Sequence, residues 1–576
     1  MLDQLSWKVG GQQGEGIDST GNTFAIALNR QGYYIYGYRH FSSRIKGGHT
    51  NYKIRVSTKQ RLASADQLDM LLAFDQETID FNAHELREGG IIIADSKFNP
   101  VVPEGKNIRF YSVPFTKLAE EAGSSIMKNM VALGASACIL GLTPELFESI
   151  ISDRFSRKGQ KVVEQNMEAV RKGFNFIQQE GGAIEEFRLE KGDGKKRLFM
   201  MGNDALALGA LAAGSRIMPA YPITPASDVM EYLIKKFPKV GGHVIQTEDE
   251  IAAITMTIGA NFAGVRAHTA TSGPGLSLMM EAIGLAGMTE TPVVIMDTQR
   301  GGPSTGLPTK HEHSDFLAAL FGTHGEIPKI VLAPATAEEC FYFTIDAFNY
   351  AEQYQCPVIV MTDLALSMAD QSVEPFDYDR IKIDRGKLAT EEELAAVAQG
   401  ELFKRYKFTE DGISPRVFPG QKGGIHHVTG VEHNEVGRPS EDAANRTKMM
   451  DKRLGKLKGV KLSNAVSYTG PEQADLLVIG IGSTIGVIDE AVERLTAEGK
   501  RVAHAHVRVL SPFPTEELQN YVNHAKQVLV VENNATGQLK HLMQMFGVKG
   551  EFKSLLKYDG NPYLPFEVYN HCKELV

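Results

Sequence analysis

The sequence has no run of about eighteen consecutive apolar residues, so no membrane-spanning helix is expected. The opening MLDQLSWKVGGQQGEG lacks a basic stretch followed by an apolar one, so no secretory signal is expected. Cysteine is scarce. Its four positions, Cys138, Cys340, Cys356 and Cys572, form no C-x-x-C. That spacing argues against a structural zinc site or a cysteine-held iron–sulfur cluster within the chain, and no metal is assigned to it. Scattered thiols suit the reducing cytoplasm. Cys138 and Cys356 sit in apolar runs and read as buried, unreactive thiols. Nor is there a basic excess. The 61 basic and 70 acidic residues give a net charge of −9, which argues against nucleic acid as the main partner.

The chain is 576 residues long, 43% apolar and 23% charged, so several domains with large cores are expected. Strand-like runs alternate with helical ones, which makes the class α/β. Residues 1–185 read as one α/β domain. It opens with a strand ending at Val9, then a turn with Gly10, Gly11, Gly14 and Gly16, then a helix. Such a turn is either an anion site built from backbone N–H groups and the helix dipole, or a plain strand-to-helix turn. The spacing is not G-x-G-x-x-G. Arg44, Lys46, Gly47 and Gly48 precede the strand TNYKIRVS, and suit either a phosphate or an ordinary solvated hairpin. LDMLLAFD, GGIIIADS and IRFYSVPF read as further strands, and Thr143–Pro144 as a helix start. Residues 186–197 are a charged linker, including Gly192-Asp193-Gly194.

Residues 198–385 carry the densest run of motifs: YPITPAS, QTEDE, TATSGPG and DTQRGGPSTG. Each lies between apolar stretches of strand or helix length. The polar motifs therefore fall at strand ends and helix starts, where open α/β sheets bind ligands. Asp228 with Glu231, and Thr336 with Glu339, read as capping boxes. Residues 386–472 mix charges with Gly/Pro-rich text, and are too long for a bare loop. They read as a functional excursion or interface arm, with His426, His427 and His433 on its surface. Residues 473–576 alternate strand and helix as a small βαβ domain, with Gly499 ending a helix.

YPITPAS, QTEDEIAAI, TSGPGLSLMMEAIGLAGMTE and RGGPSTGLPTK, in that order, closely resemble the α subunit of 2-oxoacid:ferredoxin oxidoreductases. VIGIGST, LSPFP and VENN resemble the transketolase-C-like domain of that subunit, and the first domain resembles the family's γ subunit, here fused in front. SRIKGGH and DGISPR look most like the 2-oxoglutarate branch. The resemblance implies a three-domain α/β chain: a γ-type domain, a thiamine-diphosphate-binding pyrimidine-type domain and a transketolase-C-like domain. It also implies an enzyme active only with a separate β subunit, which would supply the diphosphate and magnesium site and a four-iron four-sulfur cluster. The absence of cluster cysteines here agrees with that. The expected assembly is a dimer of αβ heterodimers that passes electrons to ferredoxin.

Within that resemblance, Glu250 is the cofactor-activating carboxylate, with Glu248 the alternative, because the apolar IAAI after Glu250 marks a buried helix start. Tyr221, Pro222, Ile223, Ser272 and Gly273 would line the thiamine side. Thr224 and Arg300 match the family positions that hold the 2-oxoacid carboxylate and keto oxygen. Gly11, Gly14, Arg44, Lys46 and Gly47 would serve coenzyme A, the acyl acceptor. If the acid is 2-oxoglutarate, its distal carboxylate needs a second cation. Lys46, Lys310 and His313 are the candidates, although K-H-E-H also reads as a solvated loop. The resemblance thus implies interconversion of 2-oxoglutarate and coenzyme A with succinyl-CoA, CO2 and reduced ferredoxin. The alternatives are a pyruvate or branched-chain 2-oxoacid enzyme of the family, and a ferredoxin-independent transketolase-like enzyme.

Overall fold

The computed structural model describes residues 1–40 and 48–576. Arg44, Lys46 and Gly47 therefore lie outside the described residues. The chain forms two compact units. One comprises Met1–Met200, Met368–Pro375 and Leu564–Phe566; the other comprises Met201–Ser367, Phe376–Tyr563 and Glu567–Val576.

The first unit is built on an eight-stranded mixed sheet. Its strands, in spatial order, are Arg109–Val113, Leu86–Asp95, Leu68–Ala73, Gln4–Gln12, His49–Ser57, Tyr34–His40, Asp370–Val373 and Leu198–Met200. The first four run parallel to one another and the remainder pair antiparallel. The near-continuous apolar runs LDMLLA and GGIIIAD form parallel strands buried on both faces. Met70, Leu72, Ile91 and Ile93 point into one core; Leu71 and Ile92 point into the other. Helices Lys128–Ile139 and Gln160–Gln179 approach through glycine. A Cβ on Gly134 would stand 1.9 Å from the Val170 carbonyl oxygen, and one on Gly173 would stand 1.9 Å from that of Val131. The sheet also recruits Leu198–Met200 and Asp370–Val373, from a stretch whose neighbours in sequence fold into the other unit. Asp370 fixes this pairing by accepting from Arg39 at 2.6 Å and from the Tyr52 hydroxyl.

The second unit holds two five-stranded sheets and a parallel pair. The pair is Ile217–Ala220 with His243–Gln246. One sheet runs His268–Thr271, Val293–Gln299, Pro357–Asp363, Ile330–Leu332 and Val509–Ser511. The other runs Val466–Thr469, Val502–Val507, Ala474–Ile481, Ala525–Glu532 and Phe552–Leu556. The edge strand Val509–Ser511 comes from the C-terminal segment, and one hydrophobic core runs from Ile295 and Ile359 to Ile479 and Val530.

Local signals were realised unevenly. Thr336 caps helix Ala337–Tyr354 by accepting from the Glu339 amide, and Gly499, at φ 81°, follows helix Ile485–Ala497. Asp228 does not cap, because helix Ser227–Lys236 starts one residue earlier and Asp228 falls inside its first turn. Thr143 precedes a short 3-10 turn, Pro144–Phe147, and makes no side-chain cap. All four cysteines are buried, and burial raises their thiols, Cys356 to about 12.

Residues 386–472 are tied down by two buried carboxylates. Glu290 faces Lys452 at 2.6 Å, Lys456, and Arg405, whose guanidinium donates to the Glu290 carbonyl. Glu352 faces Arg266 at 2.8 Å, Arg385 and Arg416. Three cations around each carboxylate satisfy the geometry that makes a buried ion pair tolerable. His433, expected at the surface, is fully buried, with its ring 4.1 Å from that of Tyr406. Its Nδ1 bonds the Val431 carbonyl, so a local turn pulls it inward. Among the described residues no helix is long and apolar enough to cross a membrane.

Candidate active site

In the second unit the four motifs converge at strand and helix ends. Strand Ile217–Ala220 leads into Tyr221, Pro222, Ile223 and Thr224, with Tyr221, Pro222 and Thr224 exposed. The Thr224–Pro225 peptide is cis, and the Pro225 carbonyl accepts from Asn203 Nδ2 at 2.8 Å. Strand His243–Gln246 leads to Asp249, whose side chain accepts from the Ala252 amide at 2.7 Å and so starts helix Glu250–Phe262. Ala253 and Ile254 pack into the core and draw the helix start inward. Glu250 is 6% exposed, whereas Glu248 is exposed. The Glu250 side chain lies against Gly275, in the first turn of helix Gly273–Met288. A Cβ there would stand 2.7 Å from the Glu250 Oε1 and 2.1 Å from the Thr271 hydroxyl. Only glycine fits, which accounts for the last glycine of TSGPG.

Arg300 follows strand Val293–Gln299 and is buried. Its Nη1 donates to the Thr224 carbonyl at 2.6 Å and its Nη2 to the Thr305 carbonyl at 3.2 Å. Burial pulls its guanidinium below the ordinary value, and Asp315 opposes this when it is ionised. Both bonds go to neutral carbonyls, so they leave the positive charge without a directly bonded anion. Ser272 is buried at the start of the next helix, beside the half-buried Gly273. Glu250, Thr224, Arg300, Ser272 and Gly273 thus all lie on loops that end parallel strands or begin helices of one unit.

The K-H-E-H segment behaves otherwise. His313 is fully buried, with Nε2 3.0 Å from Asp363 Oδ2 and Nδ1 accepting from the Asn533 amide. Both ring nitrogens are engaged, which takes His313 out of the set able to meet a substrate carboxylate. Asp363 also accepts from the amides of Ser483 at 2.8 Å and Leu366 at 2.9 Å. These donors, with His311 and His313, hold its carboxyl well below the ordinary range despite burial. Burial lowers His311 to about 4. His311, His313 and Asp363 could geometrically hold a metal ion, but the carboxylate and His313 already have internal partners. Their evident task is to pin the loop after Arg300 onto the VENN and IGST turns. Lys310 is half-buried beside Gly560, where an added Cβ would stand 2.9 Å from its own Cβ.

In the first unit, helix Ile17–Asn29 begins at Gly16, φ 81°, after the exposed Gly14, φ 99°. Gly11 is buried. The Gln12 amide donates to Glu15 Oε2 at 3.2 Å, and Glu15 pairs with Lys128 at 2.8 Å. The turn's own carboxylate therefore sits where an external anion was expected, and a phosphate would have to displace it.

Sequence reasoning passed over Asp297, Asp315 and Asp363. The available signal for Asp297 and Asp363 was an acid in a buried parallel strand, in MDTQ and MTDL; Asp315, in the loop text HSDF, carries no such signal.

Three family descriptions match the chain. Residues 208–452 match "Pyruvate flavodoxin/ferredoxin oxidoreductase, thiamine diP-bdg", and residues 6–176 match "Pyruvate ferredoxin/flavodoxin oxidoreductase". Residues 474–549 match core domain II of pyruvate:ferredoxin oxidoreductase. A 2-oxoacid:ferredoxin oxidoreductase subunit alpha from Sulfolobus sp is 34% identical over 98% of this chain and 96% of its own. The 2-oxoglutarate oxidoreductase subunit KorA of Mycobacterium tuberculosis is 30% identical over 98% and 91%. The solved 2-oxoglutarate:ferredoxin oxidoreductase from Magnetococcus marinus, with 2-oxoglutarate, coenzyme A and succinyl-CoA bound, superposes at TM-score 0.92. It is 38% identical and covers all of both chains. The fold and motifs define a thiamine-diphosphate-binding α/β oxidoreductase subunit. The chain belongs to the α subunits of the 2-oxoacid:ferredoxin oxidoreductases, with the γ-type domain fused in front.

Proposed function

We propose that the chain is the α subunit of an enzyme that interconverts 2-oxoglutarate and coenzyme A with succinyl-CoA and CO2, passing electrons to ferredoxin. The observation that carries this reading is the conjunction of the buried Glu250 with an Arg300 that bonds only neutral carbonyls. A full-length likeness to a protein holding 2-oxoglutarate and succinyl-CoA supports the choice of acid.

Thiamine diphosphate supplies, when bound, the carbon nucleophile and electron sink for 2-oxoacid decarboxylation. The residues present fit it. Glu250 would hold a proton at the aminopyrimidine N1′, and Gly275 leaves the carboxyl room to do so. Tyr221, Pro222, Ile223, Ser272 and Gly273 would shape the wall around that ring. Arg300 would fork onto the 2-oxoacid carboxylate through its outer edge while its Nη1 keeps Thr224 in place, and the Thr224 hydroxyl would donate to the keto oxygen. Lys310 remains the cation of this unit offered to a distal carboxylate, alongside Lys46.

A partner subunit is part of the proposal: it would contribute the diphosphate and magnesium site and the four-iron four-sulfur cluster. The exposed faces of the two helices beside Glu250 suit a protein partner. Ile251 is 49% exposed, Met256 42% and Leu278 51%, and nothing stands within 4 Å of a Cβ built on Gly259 or Gly284. In the first unit, Gly11 and Gly14, with Arg44, Lys46 and Gly47, are proposed for coenzyme A. Phosphate would displace Glu15, which Lys128 would then retain.

The test is an assay of the purified complex against a panel of 2-oxoacids, with ferredoxin reduction as readout. The reading expects kcat/KM for 2-oxoglutarate to exceed that for pyruvate and 2-oxoisovalerate. Preference for pyruvate or a branched-chain acid would replace it with one of the family alternatives.

A further inference from the structure

Behind Arg300 stand two buried acids that the reaction has not yet used. Asp297, within strand Val293–Gln299, is fully buried, and neither carboxyl oxygen has a hydrogen-bond partner among the described residues. Its register partner on the neighbouring strand is Thr271. Asp315 occupies the position before helix Phe316–Phe321, yet it does not cap that helix. Its carboxyl turns instead onto the backbone of Gly273, where a built Cβ would stand 2.7 and 2.8 Å from the two oxygens. One of those oxygens also lacks a partner, as do the neighbouring Ser272 hydroxyl and the Arg300 Nε. The Asp315 amide donates to Gln299 Oε1 at 3.1 Å and the Ser314 hydroxyl to the Arg300 carbonyl at 3.1 Å, so this loop lies along the base of Arg300.

Two adjacent carboxyls that are buried without donors cannot both carry charge. Desolvation and mutual repulsion each favour the neutral form. The charged groups acting on the pair are Arg300, which favours ionisation, and Glu312, which opposes it. Burial and Glu312 prevail over Arg300 and push Asp315 up to about 7, while burial and then Asp315 hold Asp297 well above the carboxylate range.

We propose that Asp315, with Asp297 behind it, is a positioning residue that stays protonated so that Arg300 has no internal counter-ion and remains open to the 2-oxoacid carboxylate. The inference rests on the reading of Arg300 as the carboxylate-binding group. When Asp315 ionises, its carboxylate competes with the substrate for the guanidinium. The competent fraction falls as pH rises, so KM for the 2-oxoacid rises roughly tenfold for each pH unit above the Asp315 midpoint.

The assembled enzyme would be titrated from about pH 6 to about pH 8.5 with 2-oxoglutarate, comparing wild type with Asp315→Asn and Asp297→Asn. The expected result is a KM that climbs with pH in the wild type and is flat in Asp315→Asn. In Asp297→Asn, which exchanges a neutral acid for a neutral amide, the climb stays at the wild-type pH. Kcat keeps its own pH profile. A second readout needs no activity: in infrared titration of the purified chain the protonated-carboxyl band should lose intensity between about pH 6 and about pH 8.5, and that loss should be absent from Asp315→Asn, in which the Asp297 carboxyl keeps a constant band. A climb in KM that survives unchanged in Asp315→Asn overturns the proposal, as does a wild-type protonated-carboxyl band of constant intensity over that pH range. Should Asp315→Asn not fold, the wild-type infrared titration decides: loss of protonated-carboxyl intensity over the range in which KM climbs supports the proposal, and constant intensity overturns it. Arg300→Gln is measured in parallel. If it leaves KM for the 2-oxoacid unchanged, the reading of Arg300 itself has failed, which is a separate outcome.

Discussion

Arg300 Nη1 donates to the Thr224 carbonyl at 2.6 Å, so the residue expected to hold the substrate carboxylate also holds the loop expected to hold its keto oxygen. One guanidinium would thus set the spacing between the two proposed substrate contacts. Arg300→Lys keeps the charge and loses the fork. On this account kcat/KM for the 2-oxoacid falls about 100-fold or more, because a displacement of about 1 Å at a reacting centre costs that much. Steady-state kinetics of the complex check this. A change under threefold would show that the Thr224 loop does not depend on Arg300.

Gly275→Ala puts a methyl group 2.7 Å from the Glu250 carboxyl and 2.1 Å from the Thr271 hydroxyl, on a helix whose next residue, Leu276, is fully buried. Thiamine diphosphate affinity is expected to fall at least tenfold, with a smaller loss of thermal stability, as read by fluorescence quenching and melting. Wild-type affinity would mean that the Glu250 carboxyl can shift without consequence.

How much was legible beforehand differs by feature. The strands around LDMLLA, GGIIIAD and PVVIMDT were readable because both faces are buried and the apolar runs are unbroken. The burial of Glu250 was readable because the Ala253 and Ile254 that follow it must pack inward. The recruitment of Asp370–Val373 into the first sheet was not readable, since it depends on a part-buried Arg39–Asp370 pair 331 residues apart in sequence. His313 was misread as a substrate cation. A histidine in a polar segment gives no local sign that Asp363 waits 50 residues downstream. The glycine turn was readable in geometry but not in occupancy, because Glu15 is both part of the loop and its internal anion.

The clamp on residues 386–472 gives a stability prediction. Glu290→Gln leaves Lys452, Lys456 and Arg405 buried around a neutral group. Breaking such a cluster by removing one partner costs about 3 to 5 kcal/mol. Chemical denaturation should show that loss, and limited proteolysis should show earlier cleavage within 386–472. Glu435→Gln, on an exposed pair with Lys404 3.0 Å away, should cost less than about 1 kcal/mol.

The first unit carries an acid-sensitive pair. Lys8 and Lys53 hold Glu85 down to about 2 from its ordinary 4.5, against the opposing effect of burial. A depressed carboxylate contributes stability that is present above the unfolded pKa and is lost as pH falls through the folded one. The window is therefore from pH 4.5 down to about pH 2. The contribution is on the order of 3 kcal/mol. Glu85→Gln should remove most of the acid-dependent loss in that window, as followed by circular dichroism. A variant with the wild-type acid slope would place that sensitivity elsewhere.

Glu250, at the buried start of its helix, is the proposed activator of thiamine diphosphate. That role is tested most directly by the rate of hydrogen exchange at the thiamine C2 position in the assembled complex. Glu250→Gln should slow that exchange by about 10²- to 10⁴-fold, the range for a positioned acid–base group, while the exposed Glu248→Gln stays near wild type. Exchange at the wild-type rate in a folded, cofactor-loaded Glu250→Gln complex would contradict the assignment.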